Sequence, residues 1–240
     1  MSAPATLLAI DSSTDRLCLA LQSGAHCRTV EEAGGAQASA HILPRLLALL
    51  ADAGVTPARL DAIAFARGPG AFTGLRTACA VAQGLAFGAG RPVLPVDSLM
   101  LVAEDAAAHA GTAALDVWVA MDARMDEIYA GHYRRAACDW EVLEAPALYG
   151  LDALQARWQA APPQMVAGSA LQAFGDRLRT GGAALQAVEH GRAAALMRLA
   201  QQAWRRGEAV AAEQALPLYL RDKVALTTAE RAQRAAERAS

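Results

Sequence analysis

The feature that most constrains this chain is an internal repeat built around two aspartates. The stretch LLAIDSSTDRLCLAL (Leu7 to Leu21) is echoed by VWVAMDARMDEIYAGHY (Val117 to Tyr133). Asp11 aligns with Asp122 at an offset of 111 residues (122 − 11), and the next aspartate of each copy keeps that offset. Each copy is an apolar run that ends in Asp, a short polar turn and a second apolar run. This pattern predicts two β-hairpins whose tips carry carboxylates.

The elements that follow each hairpin are also alike. The pattern becomes helical over residues 36–53 in the first half and over Leu151 to Ala160 in the second. A strand at Val93 to Leu99 closes the first half. This order predicts an α/β protein of two related lobes, each a βββαβα unit, the architecture of the actin, sugar kinase and Hsp70 (ASKHA) superfamily, in which ATP sits between the lobes.

The predicted division places residues 1–99 in the first lobe and 100–226 in the second, with a last helix that can return to the first. Residues 227–240, TTAERAQRAAERAS, are rich in alanine and alternating charge and are expected to form a flexible tail. With 54% hydrophobic residues the chain has enough apolar side chains for a large core.

Charge and cysteine content exclude several classes of function. A net charge of -2 argues against a protein that grips nucleic acid through its overall field. The four cysteines form no C-x-x-C pair, which argues against a zinc site and a disulfide framework. No apolar run approaches the length of a membrane span, and no basic stretch precedes the first apolar run. We therefore expect a soluble cytoplasmic protein without a membrane partner.

A glycine-rich stretch, GPGAFTGLRTACAVAQGLAFG (Gly68 to Gly88), resembles a phosphate-binding loop that leads into a helix. It lacks the lysine of a Walker A loop, and its glycine spacing differs from that of a dinucleotide-binding loop. The residues themselves favour a tight turn from the strand at 62–66 into a helix at 73–87 that Thr73 caps.

Four motifs together carry a family resemblance: LLAIDSSTD, ARGPGAFTGLR, AMDARMDEIYAGHY and PLYLRDKVA (Pro217 to Ala225), in this order along nearly the whole chain. They resemble the bacterial TsaB family, also called YeaZ, of tRNA threonylcarbamoyladenosine biosynthesis. The resemblance implies a non-catalytic partner of TsaD, the transferase that moves a threonylcarbamoyl group to N6 of adenosine 37 in tRNAs reading codons that start with A. It also implies a TsaE-type ATPase in the larger complex, contact with tRNA only through that complex, and a homodimer as the alternative to the heterodimer.

The metal site of TsaD can be tested on this sequence. TsaD holds its metal with an H-x-x-x-H pair on the helix after its first hairpin. Here His41 lies in that helix, but Arg45 follows and Gln37 precedes it by four residues. Because a lone imidazole does not hold a divalent metal without other ligands, we expect no metal and no catalytic residue.

An independent ATP-dependent phosphotransferase of the same fold is the alternative. Asp11 and Asp122 would hold Mg²⁺, and small polar residues at the first tip would contact phosphate. Bulky residues at the second tip argue against turnover. We predict at most weak binding of ATP or ADP, at the partner interface or at four residues of the first tip: Asp11, Ser12, Ser13 and Thr14.

The two first-lobe helices are the predicted partner interface, because in this family the pair docks on its counterpart in a four-helix bundle. The first carries two apolar lines, Ile42, Leu46 and Leu49 on one and Leu43, Leu47 and Leu50 on the other. The predicted interface residues are His41, Arg45, Leu49, Arg76, Ala80, Gln83 and Phe87. Leu49→Asp or Ala80→Arg is expected to abolish partner binding without unfolding the chain, whereas Asp11→Ala is expected to spare binding.

Overall fold

The computed structural model describes residues 5–34, 38–137 and 139–221, and within them two five-stranded sheets share one topology. The first sheet has the strand order β3-β2-β1-β4-β5, and the second, read from its other edge, has the order β8-β7-β6-β9-β10. The strands are β1 (Leu7–Asp11), β2 (Arg16–Ser23), β3 (His26–Ala33), β4 (Ala62–Gly68), β5 (Val93–Asp97), β6 (Leu115–Asp122), β7 (Glu127–Ala136), β8 (Asp139–Gly150), β9 (Met165–Ala167) and β10 (Ala184–Gln186).

The pairing within the two sheets is also the same. In each, the first three strands pair antiparallel as two hairpins, and the last two add in parallel. The predicted two-lobed ASKHA fold is therefore confirmed. The central strand β1 is buried along its whole length because helices cover both faces of the sheet. Asp11 and Asp122 end the central strands β1 and β6, at the sheet edge where open α/β sheets place their ligands.

Among the described residues, six α-helices cover the sheets: α1 (Ala38–Asp52), α2 (Phe72–Ala89), α3 (Ser98–Ala110), α4 (Leu151–Ala160), α5 (Ala170–Phe174) and α6 (Arg192–Arg205). Helices α1 and α2 pack on one face of the first sheet, and α4 and α5 on one face of the second. The other face of the first sheet packs on α6, and that of the second packs on α3. Helices α3 and α6 also contact each other, so each lobe is completed by a helix that follows the sheet of the other.

Charged side chains on α3 fix this central contact. Glu104 is fully buried and accepts hydrogen bonds from Arg198 Nε of α6 (2.6 Å) and Trp140 Nε1 of β8 (2.8 Å). Asp105 accepts the backbone N–H groups of His190 and Gly191, both at 2.8 Å. Because buried carboxylates are stable only with such partners, these bonds orient the lobes relative to each other.

The start of helix α2 differs from its prediction. Helix α2 begins at Phe72, and its N-cap is Ala71, which makes no side-chain cap, so the prediction that Thr73 caps this helix is wrong. The N–H of Ala71 instead donates to the carbonyl of Ser13 (2.7 Å).

The predicted tail at 227–240 lies outside the described residues, as do positions 36 and 37 of the first predicted helix. No helix in the described ranges has the length and apolar character needed to cross a membrane.

Candidate functional site

A cleft of about 830 Å³ lies between the two lobes. Its lining includes residues 13–15 of the first hairpin tip (residues 12–15), 123–124 of the second hairpin tip (residues 123–126), 69–71 of the glycine loop (residues 68–71) and residues 218–221. The position matches the ATP site expected of an ASKHA fold. The state of the acidic and small polar residues in this cleft therefore decides what chemistry it can perform.

Asp11 is buried at the end of β1, and both of its carboxylate oxygens are engaged by the chain. Oδ1 accepts the backbone N–H of Ser13 (2.7 Å), and Oδ2 accepts Nε of Arg192 (2.5 Å) from the start of α6. A Mg²⁺ ion would compete with this buried guanidinium for the same carboxylate. Asp11 therefore acts here as the counterion of an arginine.

Arg192 is buried and makes three kinds of contact in the cleft floor. Its Nη1 donates to Glu189 (2.5 Å) and its Nη2 to Ser13 Oγ (3.1 Å), besides the bond to Asp11. Burial opposes the positive charge, but the attraction of Asp11 and Glu189 outweighs it and holds the pKa of Arg192 above its usual value. The guanidinium stays charged, and the network ties α6 to the first tip.

The glycine loop and the start of α2 pack on the backbone of the first tip. A Cβ at Gly70 would lie 2.5 Å from the carbonyl oxygen of Ser13, and one at Gly74 would lie 1.7 Å from that of Ser12. Ser12 Oγ also donates to the carbonyl of Gly74 (2.8 Å). These glycines permit a close backbone approach. The loop that resembles a phosphate cradle therefore holds the hairpin tip of its own chain.

The four residues predicted to bind nucleotide weakly lie together at this tip. Asp11, Ser12 and Ser13 use their side chains in the contacts above, and Thr14 Oγ1 accepts the N–H of Arg16 (3.2 Å). A phosphate group at the first tip would have to displace these internal hydrogen bonds. Weak nucleotide binding by these residues stays a prediction.

The second hairpin tip has an unusual backbone. Arg124, Met125 and Asp126 all have φ near +60° (62°, 57° and 64°), a left-handed conformation that costs a non-glycine residue roughly 1–2 kcal/mol. Several contacts hold it. Asp122 Oδ1 accepts the N–H of Arg124 (2.8 Å), and Arg221 donates to the carbonyls of both Ala123 (3.0 Å) and Arg124 (3.3 Å).

The predicted interface residues of α1 divide between surface and core. His41 and Arg45 are exposed, and Arg45 pairs with Glu32 of β3 at 3.0 Å. Leu49 is only 6% exposed and belongs to the core of the first lobe, so its placement on the exposed line is corrected. Leu49→Asp would bury an unpaired charge inside the lobe and is expected to unfold it.

The apolar surface of α1 comes instead from residues that sequence reasoning missed. Leu43 and Leu47 are nearly half exposed, while Ile42 and Leu46 are fully buried. The signal was present in the sequence, because two apolar lines on one helix exceed what packing on a sheet requires. The spacing alone does not show which of the two apolar lines of α1 packs on the sheet.

On α2 the four predicted residues follow one side of the helix. Phe87 is 81% exposed and Ala80 is exposed, while Arg76 and Gln83 bind the C-terminal segment. Arg76 Nε donates to the Tyr219 hydroxyl (3.0 Å), and Gln83 Nε2 donates to the carbonyl of Ala215 (2.8 Å). Five of the seven predicted residues, all except Leu49 and Gln83, are therefore exposed on α1 or α2, as are the two leucines of α1.

The thiol of Cys18, which pairs with Asp11 beside the first hairpin tip, gives a test of this local structure. Burial, helped by the nearby charge of Asp11 and Glu31, raises the pKa of Cys18 to about 12. Since the thiolate is the reactive form, we expect the buried Cys18 to resist iodoacetamide at neutral pH until the chain unfolds. Burial also raises the pKa of Cys27, but its side chain is exposed, so it should react faster than Cys18 in the folded chain. Peptide mass spectrometry separates the two sites. Equal labelling of both in the folded chain would contradict this description of β2.

Comparisons with known proteins agree with the geometry. Residues 31–179 match the family model described as TsaD, tRNA N6-adenosine threonylcarbamoyltransferase. The chain is similar to the tRNA threonylcarbamoyladenosine biosynthesis protein TsaB of Escherichia coli strain K12, with 34% identity across 91% of this chain and 96% of that protein. The TsaB of Haemophilus influenzae is 42% identical over about half of each chain (52% of both).

A solved structure of YeaZ from Pseudomonas aeruginosa is 39% identical and superposes with a TM-score of 0.79, covering 90% of this chain and all of that one (100%). Another structure from the same organism, titled as an uncharacterized protein with similarity to the peptidase YeaZ, is 40% identical with a TM-score of 0.81 and the same coverage (90% and 100%). Both share the two-lobed fold.

Proposed function

The chain belongs to the TsaB family, and we propose on that premise that it is a non-catalytic partner of a TsaD-type transferase in the formation of threonylcarbamoyladenosine in tRNA. A TsaE-type ATPase joins the larger complex in this proposal, and tRNA is reached only through that complex. The chain binds its partner through α1 and α2 and contributes no catalytic residue of its own.

The observation that carries this proposal is the contrast between the cleft and the helix face. Residues that would hold metal and phosphate in a catalytic relative are bound to Arg192 and to the glycine loop. The outer side of α1 and α2 meanwhile presents Leu43, Leu47 and Phe87 to solvent. Large exposed apolar side chains beside small residues favour a protein–protein contact.

The phosphotransferase alternative has little support in this cleft. Phosphoryl transfer needs carboxylates free to hold Mg²⁺ near the nucleotide. Asp11 is bound by Arg192, and Asp122 forms an ion pair with Arg124 at 3.0 Å. Calorimetry with Mg-ATP tests this alternative, since micromolar affinity together with hydrolysis would favour it and undetectable or millimolar affinity would favour the partner role.

The partner face is tested by Ala80→Arg. Ala80 is exposed on α2, so the monomer can accept the larger side chain, but in a close helix contact the guanidinium would be desolvated without a counterion. We expect the variant to keep its circular dichroism spectrum and to bind the host's TsaD-type transferase at least about 100-fold more weakly. Size-exclusion chromatography and calorimetry with the purified transferase measure both.

The matched control is Ala153→Arg, which places the same side chain at an exposed alanine of α4 on the second lobe. It should bind like the wild-type chain. If Ala80→Arg co-elutes with the transferase as well as Ala153→Arg does, the face is misassigned. If the wild-type chain itself shows no binding, the partner role is wrong.

A further inference from the structure

The C-terminal segment Ala215–Arg221, here called the strap, has no role in the proposed function as stated above. It follows a short 3-10 helix at Ala212–Gln214 and has no regular secondary structure of its own. Its side chains and carbonyls nevertheless contact both lobes. It is therefore a candidate for a second contribution to partner binding.

One end of the strap runs along α2. The carbonyl of Ala215 accepts hydrogen bonds from Gln83 Nε2 (2.8 Å) and Cys79 Sγ (3.3 Å), and the hydroxyl of Tyr219 accepts one from Arg76 Nε (3.0 Å). The strap thus proceeds toward the start of α2 as its residue numbers rise.

An aromatic cluster completes this contact at the start of α2. The Tyr219 ring lies 5.3 Å from that of Phe72, and the guanidinium of Arg76 lies 3.9 Å above the Phe72 ring. Phe72, Arg76 and Ala80 follow one another at intervals of four residues, so the cluster continues the exposed line of α2 by one turn. Tyrosine and arginine are the residue types that most often dominate binding energy at protein interfaces.

The other end of the strap crosses the cleft. The N–H of Leu218 donates to the carbonyl of Arg67 (2.7 Å) on the first lobe, and Arg221 Nη2 donates to Glu127 Oε2 (2.6 Å) on the second. Arg221 also binds the carbonyls of the second hairpin tip, as described above. These contacts hold the strap in one conformation before any partner arrives, which lowers the entropy lost on binding.

The strap exposes apolar groups beside α2. Leu216 is 67% exposed although it directly follows the anchored Ala215, and Tyr219 is partly exposed. Gln83, which binds Ala215, lies one turn before Phe87 on the same helix. The exposed Leu216 therefore follows a residue that is bound one helical turn from the exposed Phe87.

We propose that the strap is the third element of the partner face and that Leu216 and Tyr219 contact the first-lobe helices of the TsaD-type transferase. This rests on the proposed function. The transferase is the chosen occupant because its family model matches residues 31–179, which include α1 and α2, so its own first lobe supplies a corresponding helix pair. When the helix pair of the transferase docks on α2, the exposed side chains of the strap lie at the edge of that contact.

The test is Leu216→Ser in the full chain, with binding to the purified transferase measured by calorimetry. Because Leu216 is largely solvent-exposed, the substitution should leave the melting temperature unchanged. We expect the Kd to rise by about tenfold, the effect of removing a side chain that contributes strongly to an interface. The matched control is Leu185→Ser, at a leucine of β10 that is 59% exposed on the second lobe, and its Kd should equal that of the wild type.

The outcomes separate this proposal from the one it rests on. If Leu216→Ser binds like Leu185→Ser while Ala80→Arg does not bind, the helices form the interface and the role of the strap is refuted. If the wild-type chain does not bind the transferase, both proposals fail.

Two substitutions of Tyr219 supply a second test. Tyr219→Phe keeps the ring and removes the hydrogen bond to Arg76, so its Kd should rise less than that of Tyr219→Ala. Equal Kd values for the wild type and Tyr219→Ala would overturn the assignment of Tyr219.

Discussion

Arg192→Met is expected to lower the free energy of unfolding by about 3–5 kcal/mol, because it leaves Asp11 charged and buried without a counterion. The methionine fills much of the space of the arginine stem, so the loss comes from the charge and its hydrogen bonds. Glu189 also loses its partner, but it is less buried and retains contact with water. Urea unfolding followed by circular dichroism measures the change.

The control for this prediction is the pair Asp11→Asn and Arg192→Met together. Asparagine keeps an oxygen that can accept the N–H of Ser13 and removes the buried charge. The double variant should therefore be more stable than Arg192→Met alone, and the coupling should exceed about 1 kcal/mol. Asp11→Ala likewise leaves Arg192 with a buried, partly unpaired charge and should destabilise the chain, while the expectation that it spares partner binding stays a prediction. If the changes in unfolding free energy caused by Asp11→Asn and Arg192→Met are additive in the double variant, the two side chains do not form the ion pair.

Gly74→Ala is expected to destabilise the chain by about 3 kcal/mol, at the upper end of what overpacking costs. The added Cβ would lie 1.7 Å from the carbonyl oxygen of Ser12, and backbone on both sides must move to relieve the contact. Elsewhere in a helix the same change normally stabilises, by roughly 0.5–1 kcal/mol. The sign of the effect, measured by thermal or urea unfolding, therefore reports the packing of α2 on the first tip.

Gly84→Ala is the matched control for that substitution. Gly84 lies in the same helix, and a Cβ there would meet no atom within 4 Å. It should gain the stability that helix propensity provides. If both variants are stabilised, the close approach of Gly74 to Ser12 does not exist in solution.

Much of the fold could be predicted because its signals are local. The two hairpins follow from apolar runs on either side of an Asp, and their repetition at a constant offset predicts that the second sheet copies the first. Helix α4 has the predicted bounds, Leu151 to Ala160, because its pattern is confined to ten residues. The prediction that the glycine loop is a turn into α2 is confirmed, whereas the prediction of Thr73 as the cap of α2 is wrong.

The state of the cleft could not be predicted because it depends on contacts between distant parts of the chain. Arg192 lies 181 residues from Asp11, and no motif marks it as the partner of that carboxylate. The packing of Gly74 on Ser12 likewise joins residues 62 positions apart. Sequence reasoning identified the missing H-x-x-x-H pair, whereas the arginine that neutralises the first tip required the structure.

The central claim, that the chain acts only as a partner of a TsaD-type transferase, is tested most directly by reconstituting threonylcarbamoyl transfer. Purified transferase, a TsaE-type ATPase, threonylcarbamoyl-adenylate and unmodified tRNA are incubated with no chain, wild-type chain, Ala80→Arg or Ala153→Arg, and modified adenosine is measured by nucleoside mass spectrometry. A further reaction contains the wild-type chain without the transferase. Sustained modification is predicted only where the transferase is combined with the wild-type or Ala153→Arg chain. Modification by the chain without the transferase, or full activity with a folded Ala80→Arg chain, would contradict the account.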